Sequence, residues 1–309
     1  MANLSLNARI ARLWFAALML TGCGTLQTAN VTPSIQPQEE QTLDGSALPA
    51  SALYESDHDH NAIEIFRNST WNKIGTITSG LKGPNGTWLD LHGLYVVNTQ
   101  GVKITQYTTT TSPAFTYTKG IKDPVAVTTD RAGNVYEADW DNGGNAGFVN
   151  EYAQASNVVK TRCMVKGGVQ DVAVDPKGNV FVDYTTPFGG KLVEYTAFAG
   201  CTHRALGAYF NFPAGMVLDK RGNLLVCDLY GPTVDLVAPP YNRVTPRFGS
   251  GFTGPDHVTI NAQNTRAYVA DFAAGTVDVF EYPTGKRLAT LKKDITVPLG
   301  AVDSSNYVP

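Results

Sequence analysis

A short phrase occurs six times between residues 54 and 272, and it constrains the fold more than any other feature of the chain. Each copy contains an apolar pair or triplet and ends in Asp or Asn, and neighbouring copies are about 40 to 45 residues apart. The copies are LYESD ending at Asp57, LYVVN at Asn98, VYEAD at Asp139, VFVD at Asp183, LLVCD at Asp228 and AYVAD at Asp271. A period of this length holds four short strands with their turns and is typical of β-propeller blades.

A second landmark precedes these phrases: a Pro, a short apolar strand and a polar turn. PVAVTTDRAGNVYEAD begins at Pro124, PAGMVLDKRGNLLVCD at Pro213 and PDHVTINAQNTRAYVAD at Pro255, and GGVQDVAVDPKGNVFVD has the same form without the Pro. The Gly-Asn pairs favour hairpin turns, since both residues tolerate positive φ. An alternating third strand and a more polar fourth strand follow, so each unit is predicted to be a four-stranded blade.

The two ends of the chain supply the remaining strands. The first copy starts at its second strand near Leu53, and PLGAVDSSNYVP from Pro298 onward matches little more than the opening strand of a unit. Pairing these two segments would complete one blade and leave no open edge in the ring. The sequence therefore predicts an all-β, six-bladed β-propeller of four-stranded antiparallel blades over residues 51 to 309.

The pattern P-x-G-x-A-V-D-x-x-G-N-x-Y-V-x-D, seen at residues 213 to 228 and 124 to 139, resembles the NHL repeat. It is also similar to other six-bladed propellers of the TolB-like superfold, including gluconolactonase-like and regucalcin-like proteins and the virginiamycin B lyase group. This resemblance implies the fold but not one function, because these folds serve as binding modules, scaffolds, lactonases and lyases. The Glu, Asn and Asp set of the lactonases and the His and Glu pattern of the lyases are not found.

The first 22 residues resemble the signal peptide of a bacterial lipoprotein. Arg9 and Arg12 precede a short apolar run, and LTGC ending at Cys23 resembles a lipobox. The resemblance implies cleavage before Cys23 and lipidation of its sulfur and new amino terminus. An ordinary secretory signal is the alternative.

The predicted lipid anchor decides the expected location of the protein. Several acyl chains make a practically permanent membrane anchor, and by resemblance Gly24, in place of Asp, argues against retention in the inner membrane. We therefore expect a bacterial cell-envelope protein, anchored by lipid to the outer membrane. Residues 23 to 50 are predicted to be the lipidated Cys and a flexible tether, because they are rich in Gln, Thr, Ser and Pro without an apolar period.

The six innermost strands can be compared position by position. Four of them carry Gly or Ala two residues after the Pro position, as expected where strands crowd around an axis, whereas the other two carry Asp171 and His257. Both are predicted to face one end of the central channel, joined by Asn85, Gln170 and Asp256. A carboxylate and an imidazole there could bind a divalent metal such as Ca or Zn, or act as acid and base. Alternatively, they are hydrogen-bonded to each other, to water or to the backbone.

Aromatic residues cluster in loops at the channel face where the innermost strands begin. They are Trp140, Tyr184, Phe188, Tyr230 and Phe272. Aromatic rings beside acidic groups are suited to stacking on a sugar or gripping a peptide, and packing between blades is the alternative.

Two sets of acidic residues are predicted to be structural. The repeated Asp at the end of each phrase is expected to accept backbone N–H bonds in the following loop. The Asp57-His58-Asp59-His60 string is expected to be a surface turn, with adventitious zinc or nickel binding as the alternative.

The cysteines are consistent with export. Cys227 is predicted to be a buried thiol. It holds the small apolar position, or slot, before the final Asp of the phrase, which Val182 holds in the preceding repeat. Cys163 and Cys201 lie in or near the outer strands of neighbouring blades, where a disulfide is possible but not decided by the sequence.

Charge and motifs exclude several classes of function. The formal net charge is -3 and no basic stripe is present, so nucleic acid is not an expected partner. No GxSxG, HExxH, Walker A or CxxC motif occurs. The sequence predicts a lipid-anchored binding or scaffolding module for a protein, peptide or glycan. The alternative is a metal-assisted lactonase or lyase that acts through Asp171 and His257.

Overall fold

The computed structural model describes residues 47–140, 146–245 and 248–306, which form a six-bladed β-propeller. The predicted signal peptide, Cys23 and most of the predicted tether lie outside the described residues, as do residues 141–145, 246–247 and 307–309. The helical pieces in the described part are the 3-10 turns Phe198–Gly200 and Ser304–Asn306. No helix among these residues is long and apolar enough to cross a membrane.

The strands follow one another in blade order. Blade 1 contains β1 (Ala52–Asp57), β2 (Ala62–Arg67) and β3 (Lys73–Ile77), and blade 2 contains β4 (Pro84–Asp90), β5 (Gly93–Asn98), β6 (Lys103–Tyr107) and β7 (Pro113–Tyr117). Blade 3 contains β8 (Pro124–Thr129), β9 (Val135–Asp139), β10 (Gly147–Tyr152) and β11 (Val159–Val165), and blade 4 contains β12 (Gly168–Val174), β13 (Val180–Thr186), β14 (Gly189–Ala197) and β15 (Thr202–Phe210). Blade 5 contains β16 (Pro213–Leu218), β17 (Leu224–Asp228) and β18 (Thr233–Val237), and blade 6 contains β19 (Pro255–Ile260), β20 (Arg266–Asp271), β21 (Thr276–Glu281) and β22 (Lys286–Leu291). Strand β23 (Pro298–Asp303) returns to blade 1.

The ring closes as predicted, through the two ends of the chain. Strand β23 pairs antiparallel with β1, and Ser56 lies opposite Gly300. The backbone N–H of Ala52 donates to Ser304 Oγ at 2.8 Å, which fixes the two ends against each other. The innermost strand of blade 1 is therefore the last strand of the described residues.

Blade 5 departs from the prediction of four strands in every blade. Its sheet contains β16, β17 and β18, and the chain that follows covers the outer edge irregularly. Phe248 forms an isolated bridge with Val234, and the Thr245 N–H donates to Leu236 O at 2.7 Å. Pro239 and Pro240 lack the N–H that a regular ladder requires, so a fourth strand cannot start there.

The register of blade 4 corrects one part of the sequence alignment. Val169 pairs with Tyr184 as Pro124 pairs with Asp139, so Tyr184 and not Asp183 occupies the last position of the phrase. Asp171 lies opposite Asp183, in the pairing that joins Gly215 to Cys227 in blade 5. The slot of Cys227 is therefore held in blade 4 by Asp183, and the assignment to Val182 is wrong.

The remaining phrase-ending Asp residues tie each blade to the loop that enters it. Asp139 accepts the N–H groups of Lys122 and Asp123 at 2.8 and 3.0 Å. Asp228 accepts those of Asn211 and Phe212 at 2.8 and 2.9 Å. The bonds go mainly to the loop before the innermost strand, rather than only to the following loop as predicted. The carboxylates satisfy N–H groups that would otherwise be buried without a partner.

Candidate functional site

Asp171 and His257 lie in the channel, on strands β12 and β19. Their exposed fractions are 3% and 8%, and Asp171 Oδ2 is 3.9 Å from His257 Nε2. Strand β16 lies between these two strands, and a Cβ added to its Gly215 would be 2.8 Å from His257 Cα. The absence of a side chain at Gly215 therefore allows the strands to approach this closely.

Asp171 is engaged mainly with the backbone. Its Oδ1 accepts the Val172 N–H at 2.6 Å, its Oδ2 accepts the Met216 N–H of the neighbouring blade at 2.7 Å, and its own N–H donates to Asp183 Oδ1. Burial raises the pKa of Asp171 well above its ordinary value, and the charge of Asp183 raises it further. Asp171 thus acts as a tie between blades 4 and 5.

His257 has an unused hydrogen-bonding atom. Its Nδ1 is buried and has no hydrogen-bond partner among the described residues. Burial lowers the pKa of His257 to about 4, so the ring is neutral near pH 7. Asp171 and His257 border a cavity of about 50 Å³, which is large enough to hold water. The pair is separated by more than a hydrogen-bond distance, so a direct bond between the two side chains is not formed.

The polar residues predicted beside this pair are buried in their strands. Asn85 donates to Thr99 Oγ1 at 3.2 Å and Gln170 donates to Gly168 O at 3.3 Å, so both act within their own blades. Asp256 is 4% exposed. Within residues 47–140, 146–245 and 248–306, no three His, Cys, Asp or Glu side chains are placed to hold a metal ion.

The His-containing turn of blade 1 uses its rings locally. His58 is buried, with Nδ1 3.2 Å from Pro84 O, and His60 Nδ1 is 3.0 Å from Asp57 Oδ2. The turn therefore joins blade 1 to blade 2. The prediction of a surface turn is wrong for His58, which is buried.

Aromatic side chains form a separate surface on blades 3 to 5, which we call the aromatic platform. It consists of Trp140, Phe188, Tyr209, Phe212 and Tyr230. The Trp140 and Phe212 rings are stacked with centroids 6.1 Å apart, and the Phe212 and Tyr230 centroids are 4.8 Å apart. Tyr209 Oη donates to Phe188 O at 2.6 Å.

The platform is exposed to solvent. Phe188, Tyr209 and Tyr230 are 85%, 57% and 48% exposed. Every other Phe, Tyr or Trp in the described ranges is buried or half-buried. The half-buried Trp140 and Phe212 form the floor between them. Rings from three blades therefore lie at the face where the innermost strands begin, and three of them are exposed to water.

The hairpin of blade 4 that carries Phe188 is formed differently from the equivalent connections of blades 3 and 5. The second strand ends at the phrase position in blades 3 and 5, at Asp139 and Asp228, whereas β13 continues two residues beyond Tyr184 to Thr186. Tyr184 occupies the position that Asp holds in blades 3 and 5, and the strand continues beyond it into a hairpin. Phe188 sits in the turn of that hairpin.

The sequence predicted only part of the platform. Trp140, Phe188 and Tyr230 were candidates, whereas Tyr209 and Phe212 were missed. Tyr184 is half-buried, and Phe272 takes part in no ring contact found among the described residues. The sequence contained one signal for Phe212. This residue directly precedes Pro213, whereas two other blades have a glycine, Gly83 or Gly254, before the equivalent Pro.

Cys163 and Cys201 form a disulfide, which the sequence had left open. Their Cα atoms are 5.4 Å apart, and the bond joins β11 of blade 3 to the turn after β14 in blade 4. Cys227 is a buried thiol, as predicted.

The pH dependence of stability should report the state of His257. Its lowered folded-state pKa means that the unfolded chain binds more protons between pH 6.5 and about 4. The contribution of the neutral His257 ring to the free energy of unfolding is complete above pH 6.5. It falls by on the order of 3 kcal/mol as the pH is lowered through this window. We expect His257→Ala to gain stability relative to the parent protein as the pH is lowered from 7 to 4, measured by urea unfolding. Parallel pH profiles would contradict a buried neutral ring.

The raised pKa of Asp171 acts in the opposite direction. It contributes most stability at low pH, and that contribution is lost as the pH rises through the folded-state pKa. Both proteins retain Asp171, so the difference between the two pH profiles reports the loss of His257 together with the change that this loss causes in the pKa of Asp171, 3.9 Å away.

Comparison with known proteins supports the fold. No protein-family model and no curated protein matches the chain. A solved structure of hydrazine synthase from Kuenenia stuttgartiensis is 14% identical, with a TM-score of 0.60, over 84% of this chain and 100% of that chain. A nidogen/laminin complex structure gives 17% identity and a TM-score of 0.66 over 83% and 99%.

A protein of unknown function from Bacteroides caccae is 12% identical, with a TM-score of 0.63, over 81% of this chain and 97% of that chain. At these identities the likeness extends to the fold alone. The NHL-like sequence pattern is consistent with it, and the chain is a six-bladed β-propeller.

Proposed function

We propose that this protein is a lipid-anchored binding module of the bacterial cell envelope, and that the aromatic platform binds a glycan chain. The observation that carries this proposal is the grouping of Phe188, Tyr209 and Tyr230, the exposed aromatic residues of the described chain, on one surface. Grouped exposed apolar residues mark interaction sites more often than scattered ones do.

The composition of the platform favours a sugar over an apolar peptide. Its exposed apolar side chains are rings, which offer flat faces to the C–H groups of a pyranose. Exposed Lys191 lies opposite Tyr209 in the sheet and supplies a hydrogen-bond donor, whereas the side-chain amide of Asn211 already donates to Asp228 Oδ2 at 3.3 Å. Exposed Leu91 and Leu288 lie on blades 2 and 6, and exposed Val158 and Met164 lie in or next to β11, the outer strand of blade 3.

The position of the tether suits an anchored binder. Ala47 forms a bridge with Thr109, in the turn after β6, at the face opposite the platform. A chain that leaves this face toward a lipid at Cys23 would hold the platform away from the membrane. The Cys163–Cys201 disulfide supports an oxidising compartment such as the periplasm.

Binding of soluble glycan strands, released from purified peptidoglycan, tests the platform. We expect Phe188→Ala and Tyr230→Ala each to weaken binding about tenfold, since an aromatic anchor contributes roughly 1 to 2 kcal/mol. Leu288→Ala on β22 of blade 6 is the matched control, because Leu288 is 46% exposed and lies outside the platform. Affinity is measured by titration calorimetry. Equal affinity of all four proteins, or binding of unstructured peptides in place of glycans, would contradict the glycan proposal.

The anchor is tested by fractionation of cells that express the protein. Cys23→Ser should leave an unprocessed precursor or release the protein from the membrane, because the acyl chains would be lost. Recovery of the parent protein as a soluble species without lipid would show that the lipobox resemblance is misleading.

A further inference from the structure

Blade 1 differs from the others at the face opposite the platform. In the other five blades a hairpin joins the first and second strands, as between β4 and β5 or between β19 and β20. In blade 1 these strands are β23 and β1, which come from opposite ends of the chain. No hairpin connects them, so residues 47–50 and 304–306 lie where the other blades have a turn.

A pocket of about 420 Å³ lies at this break, and we call it the seam pocket. Its walls are the segment 47–50, the β4–β5 turn of blade 2, Gln263 in the turn of blade 6, and Ser304 with Ser305 after β23. Ligand sites in proteins have volumes of about 300 to 1,000 Å³. The seam pocket is therefore large enough for a small organic molecule, whereas the channel cavity is not.

The lining of the seam pocket combines aliphatic and uncharged polar groups. Leu48, Leu89 and Leu91 form the apolar part, and Thr108 and Ser305 add hydroxyl groups. The Ser305 Oγ is buried and has no hydrogen-bond partner among the described residues. An unpaired buried hydroxyl is unfavourable, and rotation of Ser305 toward the pocket would let a ligand supply the missing bond.

Charge limits the kind of ligand. Among the described lining residues there is no Lys or Arg, and the ionisable groups are His92 and Asp90, whose carboxylate accepts the His92 N–H at 2.7 Å. An anionic ligand would find no Lys or Arg partner and would lie near Asp90, which is costly. Burial raises the pKa of Asp90, which disfavours the charged form that would attract a cationic ligand.

We propose that the seam pocket binds a small neutral amphiphile. Its hydroxyl or ester groups would bond to Ser305, Gln263 and Thr108, and a short aliphatic chain would lie against Leu48 and Leu91. The proposal is independent of the platform, since the two surfaces lie on opposite faces of the propeller. It also does not require Cys23 to be lipidated, although a lipid anchor would bring this face close to a source of such molecules.

The test uses monooctanoylglycerol as the neutral probe, with octanoate and octylammonium as charged probes of the same chain length. Binding to the full chain is followed by titration calorimetry below the micelle concentration. We expect monooctanoylglycerol to bind at least tenfold more tightly than either ion. Stronger binding of octanoate or octylammonium would overturn the argument from charge.

Leu91→Glu tests the location of the binding, because Leu91 is 53% exposed and its replacement leaves the core intact. It should weaken monooctanoylglycerol binding at least tenfold, whereas Leu288→Glu, on the outer strand of blade 6, should not change it. Equal binding by both variants would place the probe elsewhere and overturn the proposal. Binding that appears only after removal of residues 307 to 309 would also overturn it, because the chain's own end would then be the occupant.

Discussion

Removal of residues 298 to 309 is expected to prevent the propeller from folding. The deletion takes away β23, the innermost strand of blade 1, in which Leu299, Ala301 and Val302 are each at most 2% exposed. It also removes Ala301 O, which accepts a hydrogen bond from Thr259 Oγ1 of blade 6 at 2.7 Å. Burial of Leu and Val side chains contributes about 1.5 to 3 kcal/mol each. The total, with the lost ladder bonds, is comparable to the whole stability of a domain, about 5 to 15 kcal/mol.

Thermal unfolding and gel filtration measure this effect. The truncated protein should show no cooperative transition and should aggregate through the exposed edge of β1. A protein that lacks only residues 307 to 309 is the matched control and should unfold like the full chain, because β23 remains paired with β1. Normal cooperative unfolding of the longer truncation would mean that the blade closes without its innermost strand.

Loss of the Cys163–Cys201 disulfide should lower the free energy of unfolding by about 4 kcal/mol. The two residues are 38 positions apart, and a crosslink stabilises mainly by restricting a loop of that length in the unfolded chain. The effect is measured by urea unfolding of the Cys163→Ala, Cys201→Ala double variant.

A reductant provides the control for this prediction. It should destabilise the parent protein by a similar amount and leave the double variant unchanged. Cys227 remains in both proteins, so any effect of reductant on the double variant would have another source. An unchanged midpoint in the double variant would show that the crosslink contributes nothing to stability.

The ring architecture was predictable because each blade repeats the same backbone. The Pro that begins the innermost strand and the Asp that caps the entering loop recur for a geometric reason, as the bonds that Asp139 accepts from the N–H groups of Lys122 and Asp123 show. Blade 4 was misaligned by one residue, because Asp183 imitates the capping Asp while Tyr184 occupies its place. Blade 5 has no regular fourth strand in the part of the chain that the structure describes, because the consecutive prolines after its third strand cannot donate to a ladder and so interrupt the repeat.

The candidate site was less predictable because it depends on contacts between blades. Comparison of equivalent positions identified Asp171 and His257, yet the bond from Met216 N–H to Asp171 depends on the spacing of two strands. Tyr209 belongs to an outer strand. The alternation of polar and apolar residues along such a strand does not show which ring is exposed to solvent. The disulfide was undecided for the same reason, since a Cα separation cannot be derived from one sequence.

Amide hydrogen exchange with and without soluble peptidoglycan glycan strands tests the central claim most directly. If the aromatic platform is the binding surface, bound glycan should slow exchange in residues 184 to 190, 209 to 213 and 228 to 231, on blades 4 and 5. Exchange at the opposite face, in the β4–β5 turn and around Ser304, should not change. Protection of that opposite face alone, or no protection at the platform under saturating glycan, would contradict the proposed function.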